Sequence, residues 1–164
     1  MSEEYIVELI KTAPLHDIGK VGIPDKILLK PGKLDPQELE IMKKHTTFGV
    51  EALSCDLALD ESATFIHTAI EIVGTHHEKY DGSGYPKGLH GENIPLSGRL
   101  MAIIDVYDAL RNERVYKPAF SHDKALQIML RERGKHFDPH LIDAFMEIEN
   151  DIRLISSKYV QSLI

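Results

Sequence analysis

The chain has 164 residues, 43% of them hydrophobic and 27% charged, and a formal net charge of −7. That is one domain with enough length to bury a core, and its acidic balance argues against a general nucleic-acid binder and against a protein held to an anionic membrane by charge. It leaves room for an anionic small-molecule substrate, because bound metal ions can invert the local field.

Cys55 is the single cysteine, so no disulfide framework forms within the chain and a reducing cytoplasm is the natural setting. No apolar run approaches the roughly 20 residues of a membrane span. The opening Met-Ser-Glu-Glu is not a signal peptide. Nine histidines give the first compositional hint of a metal.

Ile6, Leu9, Ile10 and Ala13 recur at helical spacing, which predicts a helix from Glu3 that kinks or restarts at Pro14. Gly22 to Lys33, punctuated by Pro24, Pro31 and Gly32, is expected to be a loop. Asp35-Pro36 with Glu38 is a helix start with a capping box. That helix is predicted to run to about Leu53, with Leu39, Met42, Phe48 and Ala52 inward. A third begins near Glu61 or Ser62 and ends at His76-His77. A fourth spans about Pro95 to Leu110. Ser121 caps a fifth over Asp123 to Arg133, stopped by Gly134. Asp138-Pro139 opens the last, which runs to about Lys158. No period-2 alternation is visible, so residues 1–164 read as a single all-α bundle.

Between the third and fourth helices lies Thr75 to Pro95, with four glycines among residues 82–91 and prolines at 86 and 95. Loops of this length in a compact domain are usually functional or disordered, and Tyr85-Pro86 suggests a shaped one. It starts from two adjacent histidines. His16-Asp17 and His45 supply further imidazole and carboxylate groups, and Asp105 sits mid-helix beside Ile103, Ile104 and Val106. A buried unpaired aspartate is costly; a metal would be its partner, and a hydrogen-bond hub is the ordinary alternative. Imidazole with carboxylate suits Fe, Mn or Zn, and one carboxylate can bridge two ions. Two ions about 3.5–4 Å apart can clamp a phosphodiester. Asp17 is the candidate bridge, and Lys20, one turn on from His16, is placed to touch a phosphate oxygen. Asp108 reads as a core hub. Glu78 either orients a ligand histidine or is solvated. His67 reads as packing or surface, and His90, His122, His136 and His140 as loop or cap residues.

These segments resemble the HD-GYP family, a branch of the HD superfamily of metal-dependent phosphohydrolases. The carriers are Leu-His-Asp-Ile-Gly-Lys through Lys33, His76 to Pro86 with Asp-Gly-Ser-Gly-Tyr-Pro, Asp-Val-Tyr-Asp-Ala-Leu from Asp105, and Phe137-Asp138-Pro139. The resemblance covers about Leu15 to Phe145. It implies an all-α HD-domain bundle of HD-GYP type. It also implies a signal-transduction phosphodiesterase that cleaves the bacterial second messenger cyclic di-GMP to pGpG and then GMP. It places two or three divalent metals, Fe or Mn first and Zn next, on His16, Asp17, His45, His76, His77 and Asp105. Asp17 and Lys20 would be catalytic. Lys20, Gly84, Tyr85, Pro86, Arg114 and Lys117 would bind substrate. The Gly84-Tyr85-Pro86 loop would also meet signalling partners such as GGDEF-type domains, and a homodimer is compatible. DNA is not an implied partner.

Two departures stand out. The family carries a further histidine ligand on a helix upstream of the His-Asp segment; none of the fifteen residues before His16 is a histidine. The chain therefore reads as an N-terminally short domain, or as a natural variant with an incomplete first metal site. The loop after Asp-Ala-Leu is also altered, Arg111-Asn112-Glu113-Arg114-Val115-Tyr116-Lys117, although Arg114, Tyr116 and Lys117 fit. The alternatives are a catalytically impaired module serving as a cyclic-dinucleotide sensor or protein-interaction output domain, and an HD hydrolase of another nucleotide, against which the Gly-Tyr-Pro loop argues.

Overall fold

Ser2 accepts a hydrogen bond from the Tyr5 N–H and starts α1, Glu3–Thr12, which gives way at Pro14 to a 3-10 turn, Ala13–Leu15. The computed structural model describes residues 1–54, 64–113 and 118–161, the last four as backbone only. The described elements are helical, apart from isolated bridges Asp81–His90 and Arg133–Phe137, in agreement with the all-α reading. No helix among the described residues is long and apolar enough to cross a membrane.

A second 3-10 turn, Ile18–Gly22, follows the His-Asp pair. The expected loop then contains one helical turn, α2, Asp25–Leu28, with Pro24 before it. Asp35 and Glu38 form the expected capping box at the start of α3, Pro36–Lys43.

The predicted single helix to Leu53 is two. The Lys44 N–H bonds back to the Ile41 and Met42 carbonyls, a tighter pattern that ends α3, and α4 runs His45–Ser54. The break changes the inward face. Leu39 and Ala52 are exposed, while His45, Thr46 and Gly49 are buried. The start predicted near Glu61 or Ser62 lies outside the described residues; α5 is described over Thr64–Thr75 and does end at the histidine pair. α6 spans Leu96–Arg111 and α7 His122–Leu130. α7 stops three residues before the predicted end, ahead of a turn that Gly134 completes with φ +74°. The predicted last helix is also two, α8 Pro139–Glu147 and α9 Glu149–Gln161, broken at Ile148.

α5 is the spine, packed by α1, α4 and α6. Glu8 of α1 accepts hydrogen bonds from Thr64 and Thr68 of α5. α4 also lies against the turn that follows His16-Asp17. A Cβ at Gly19 would stand 1.9 Å from the His45 carbonyl and 2.4 Å from the Gly49 N, so only glycine allows this approach. Ala69, Ile72 and Val73 of α5 are fully buried behind it. A second cluster, Ile103, Tyr107, Ala125, Leu126, Met129, Phe137 and Ile142, joins α6 to α7 and α8. The Arg99–Asp138 pair, 2.5 Å, its carboxylate buried, ties α6 to the start of α8.

Candidate metal centre

The close packing of α4 on the His-Asp turn and on α5 brings three sequence segments to one point. Asp17, His45, His76 and His77 each offer a ligand atom, all within 4.8 Å of one another. His16 and Asp105 flank them, with His16 Nε2 3.9 Å from Asp105 Oδ1. All six expected ligands therefore converge.

Backbone carbonyls fix three of the rings. His16 Nδ1 lies 2.9 Å from the Ala13 carbonyl, His45 Nδ1 2.7 Å from that of Met42, and His76 Nδ1 3.0 Å from that of Ile72. A carbonyl only accepts, so each Nδ1 carries the hydrogen, and in the neutral ring the Nε2 lone pair is left pointing inward. Asp17 stands between them. Its Oδ1 is 3.5 Å from His45 Nε2 and 3.9 Å from His76 Nε2; its Oδ2 is 3.3 Å from His16 Nε2 and 2.5 Å from Lys20 Nζ. Asp17 Oδ1, His45 Nε2 and His76 Nε2 are buried without a hydrogen-bond partner. Three converging lone-pair atoms without donors would be a costly arrangement by themselves; a divalent cation satisfies all three. The donor set, imidazole and carboxylate, suits Fe, Mn or Zn.

Protonation agrees. Burial pushes His45 down, pushes His76 down to about 4 and lowers His77 further, so these rings are neutral at pH 7, the form in which an imidazole can hold a metal. His16 differs: its Nε2 faces Asp17 Oδ2 at 3.3 Å, and that contact pushes its pKa up, so a metal there would have to displace a proton. Burial raises Asp17, but the hydrogen bonds from His16 and Lys20 outweigh it and hold the carboxylate ionised.

A cavity of about 600 Å³ opens beside the cluster, lined by His16, Asp17, Lys20, His77, Asp105 and Asp108 and walled by Ile10, Met101 and Ile104. That volume suits a small-molecule ligand. Asp108 is exposed on this wall rather than buried as a core hub. Tyr85 stacks on His77, ring centroids 4.8 Å apart at 26°, with the Gly84–Pro86 segment beside it. Lys43, which the sequence did not single out, sits 5.4 Å from the Tyr85 ring centroid. Arg114 and Lys117 lie outside the described residues. Glu78 is neither solvated nor bonded to a histidine: it is 2% exposed and accepts from the Lys87 and Leu89 N–H groups. His67 is exposed, as expected. His122 is more than a cap, buried with its Nδ1 2.8 Å from the Tyr107 hydroxyl.

Comparison with known proteins shows the family of the chain. A family model described as "HD domain" matches residues 2–141. A cyclic di-GMP phosphodiesterase of Vibrio cholerae is 53% identical over 159 residues, 97% of this chain and 32% of its own length. A 3′3′-cGAMP-specific phosphodiesterase of the same organism is 48% identical over 145 residues, 88% of this chain and 27% of its own. The chain thus spans about a third of the length of such curated relatives. A crystal structure of a V. cholerae cyclic GMP-AMP phosphodiesterase shares the fold at TM-score 0.63 and 20% identity, over 95% of this chain and 41% of that one. The chain belongs to the HD domain family, in the HD-GYP branch that its motifs resemble.

Proposed function

We propose that this chain is a metal-dependent phosphodiesterase domain that hydrolyses cyclic di-GMP to linear pGpG and then GMP. The observation that carries this reading is the trio of buried, partnerless atoms, Asp17 Oδ1, His45 Nε2 and His76 Nε2, beside a cavity large enough for a small-molecule ligand. The cyclic di-GMP phosphodiesterase of V. cholerae, 53% identical, supports the choice of substrate. Residues 1–164 are read as one domain acting in the cytoplasm.

The residues divide the work. His45, His76 and His77 with Asp17 Oδ1 would hold one ion; His16, Asp105 and Asp17 Oδ2 would hold a second. Asp17 presents one oxygen to each set, which is what a bridging carboxylate requires. Bound Fe or Mn, with Zn also suited to the donors, supplies the charge that activates water and steadies the phosphoryl oxygens. Lys20 lines the cavity while paired with Asp17, so its ammonium can reach a phosphate oxygen without leaving the carboxylate. Tyr85 stacks on His77 and, with Gly84 and Pro86, is proposed to meet the substrate from that side. Pro86, Lys87 and Gly88 are exposed; this edge of the Gly84-Tyr85-Pro86 loop is the proposed meeting point for signalling partners such as GGDEF-type domains. A homodimer is compatible with it.

The two ions should not be held alike. The set with three imidazoles clusters within 4.8 Å, whereas the other contributes one imidazole and two carboxylates. Titration with Mn²⁺ is expected to fill one site first. Conversion of cyclic di-GMP to pGpG, followed by chromatography, is expected to rise only at concentrations about tenfold higher or more, and to exceed conversion of 3′3′-cGAMP. Untouched cyclic di-GMP in the fully loaded chain would overturn the proposed activity. Simultaneous filling with full turnover would show that a further ligand completes the second site.

A cyclic dinucleotide brings two phosphates, and the ions neutralise only the one being cleaved. Arg114 and Lys117 are proposed for the other, because arginine can make two hydrogen bonds to one phosphate. Changing both to alanine should weaken binding by about 2–4 kcal/mol if each charged hydrogen bond is worth roughly 1.5–3, with unchanged metal content. Calorimetry at saturating metal checks it, and an unaltered dissociation constant would remove the pair from the site.

A further inference from the structure

His77 is held differently from the other ligand histidines. A carbonyl fixes Nδ1 of His16, His45 and His76. Among the described residues no hydrogen bond holds either ring nitrogen of His77. Its plane is set by neighbouring rings: His76 at 4.1 Å, His45 at 5.0 Å, and Tyr85 stacked at 4.8 Å. Tyr85 is therefore the outer wall that keeps this imidazole turned toward Asp17.

Tyr85 in turn hangs on the loop, and the loop is built around one buried carboxylate. Glu78 Oε1 accepts from the Lys87 N–H at 2.7 Å and Oε2 from the Leu89 N–H at 3.0 Å. The Tyr85 N–H bonds to the His77 carbonyl at 3.2 Å. Gly84 packs so tightly on the start of the loop that a Cβ there would lie 2.3 Å from the Lys79 N and 2.5 Å from Glu78 Cα. Both oxygens of Glu78 thus tie down residues on the far side of Tyr85, and the backbone on the near side is already against Glu78. A buried carboxylate is costly unless its oxygens are bonded; here they bind the two backbone N–H groups that close the loop.

We propose that Glu78 is a positioning residue for the metal centre: it fixes the loop that presses Tyr85 onto His77, and so sets the His77 ring for metal binding. This rests on the reading of His77 as a ligand. Partners that orient a metal-ligating histidine typically contribute about 10–100-fold in affinity, and Glu78 would do so through one intervening ring.

The test is Co²⁺ titration of the whole chain, with the visible Co²⁺ spectrum as the readout. Glu78→Gln keeps the shape but sets an amide NH₂ against one of the two N–H donors. It should weaken Co²⁺ about tenfold or more and change the spectrum. Tyr85→Ala should do the same, and Tyr85→Phe should not. The double variant Glu78→Gln/Tyr85→Ala should be no worse than Tyr85→Ala alone, because both act through one contact. Merely structural damage would add, and would leave the spectrum of the loaded chain unchanged. If Glu78→Gln fails to fold, the Tyr85→Ala and Tyr85→Phe pair still decides whether the stacking ring sets the ligand. Co²⁺ affinity lost in His77→Ala but kept in Glu78→Gln and Tyr85→Ala overturns this inference alone. Affinity kept in His77→Ala overturns the ligand assignment beneath it.

Discussion

Replacing His76 and His77 together by alanine should strip the chain of metal and abolish turnover while leaving it helical. The two rings close α5 and supply two of the four clustered donors. Four-ligand zinc sites hold their ion by about 10–16 kcal/mol. An equal share per ligand puts two at roughly 5–8 kcal/mol, a loss in affinity on the order of 10⁴-fold or more. The change is not free for the fold. His76 is 1% exposed, so the variant also loses packing that an exposed loop histidine would not supply, and its melting temperature should drop by several degrees. The helices remain, because α4 meets α5 at Gly49 against Val73 and meets the His-Asp turn at Gly19, none of which is altered. Metal analysis after dialysis, with circular dichroism and chromatography of the cyclic di-GMP reaction, checks all three outcomes. Unchanged metal stoichiometry would refute the ligand assignment.

Asp17→Asn should be as damaging to metal binding and far gentler on the fold. The amide matches the carboxylate in shape but removes the charge shared by both ligand sets, and only one of its atoms can still donate an electron pair. The pairs that Asp17 makes with Lys20 and His16 involve side chains that are 41% and 21% exposed, and ion pairs open to solvent contribute little to stability. The chelator-treated variant should therefore melt close to the unaltered chain. Metal at about a hundred times its dissociation constant stabilises a folded protein by about 2.7 kcal/mol, or roughly 5–10 °C for a domain of this size. That rise should appear in the unaltered chain and vanish in Asp17→Asn. A rise that survives would place the ion elsewhere.

Much of the site is legible in the chain order because its ligands fall in short, strongly patterned segments. His16-Asp17 sits at a helix restart forced by Pro14, His76-His77 at a helix end, and Asp105 among apolar neighbours. Those positions pointed to a shared centre, and the fold brings them together. The breaks at Lys44 and Ile148 were not legible. Neither is marked by proline or glycine, and the apolar pattern continues across both, so nothing local distinguishes a tightened turn from continued helix. Leu39 and Ala52 were misassigned for the same reason: a helix broken at Lys44 turns its faces afresh, and His45 takes the inward place. The direct partners of Glu78 were not legible, because they are backbone N–H groups 9 and 11 residues on, which carry no side-chain signal. The closeness of Gly19 to His45 is likewise invisible until α4 is laid on the His-Asp turn.

The most direct test is a count of metal in the unaltered chain, prepared anaerobically and dialysed without chelator. At least one Fe or Mn per chain is predicted, restored by Fe²⁺ or Mn²⁺ after removal. A folded chain that carries no metal and takes up neither ion on reconstitution would contradict the assignment of Asp17, His45, His76 and His77 as a metal centre.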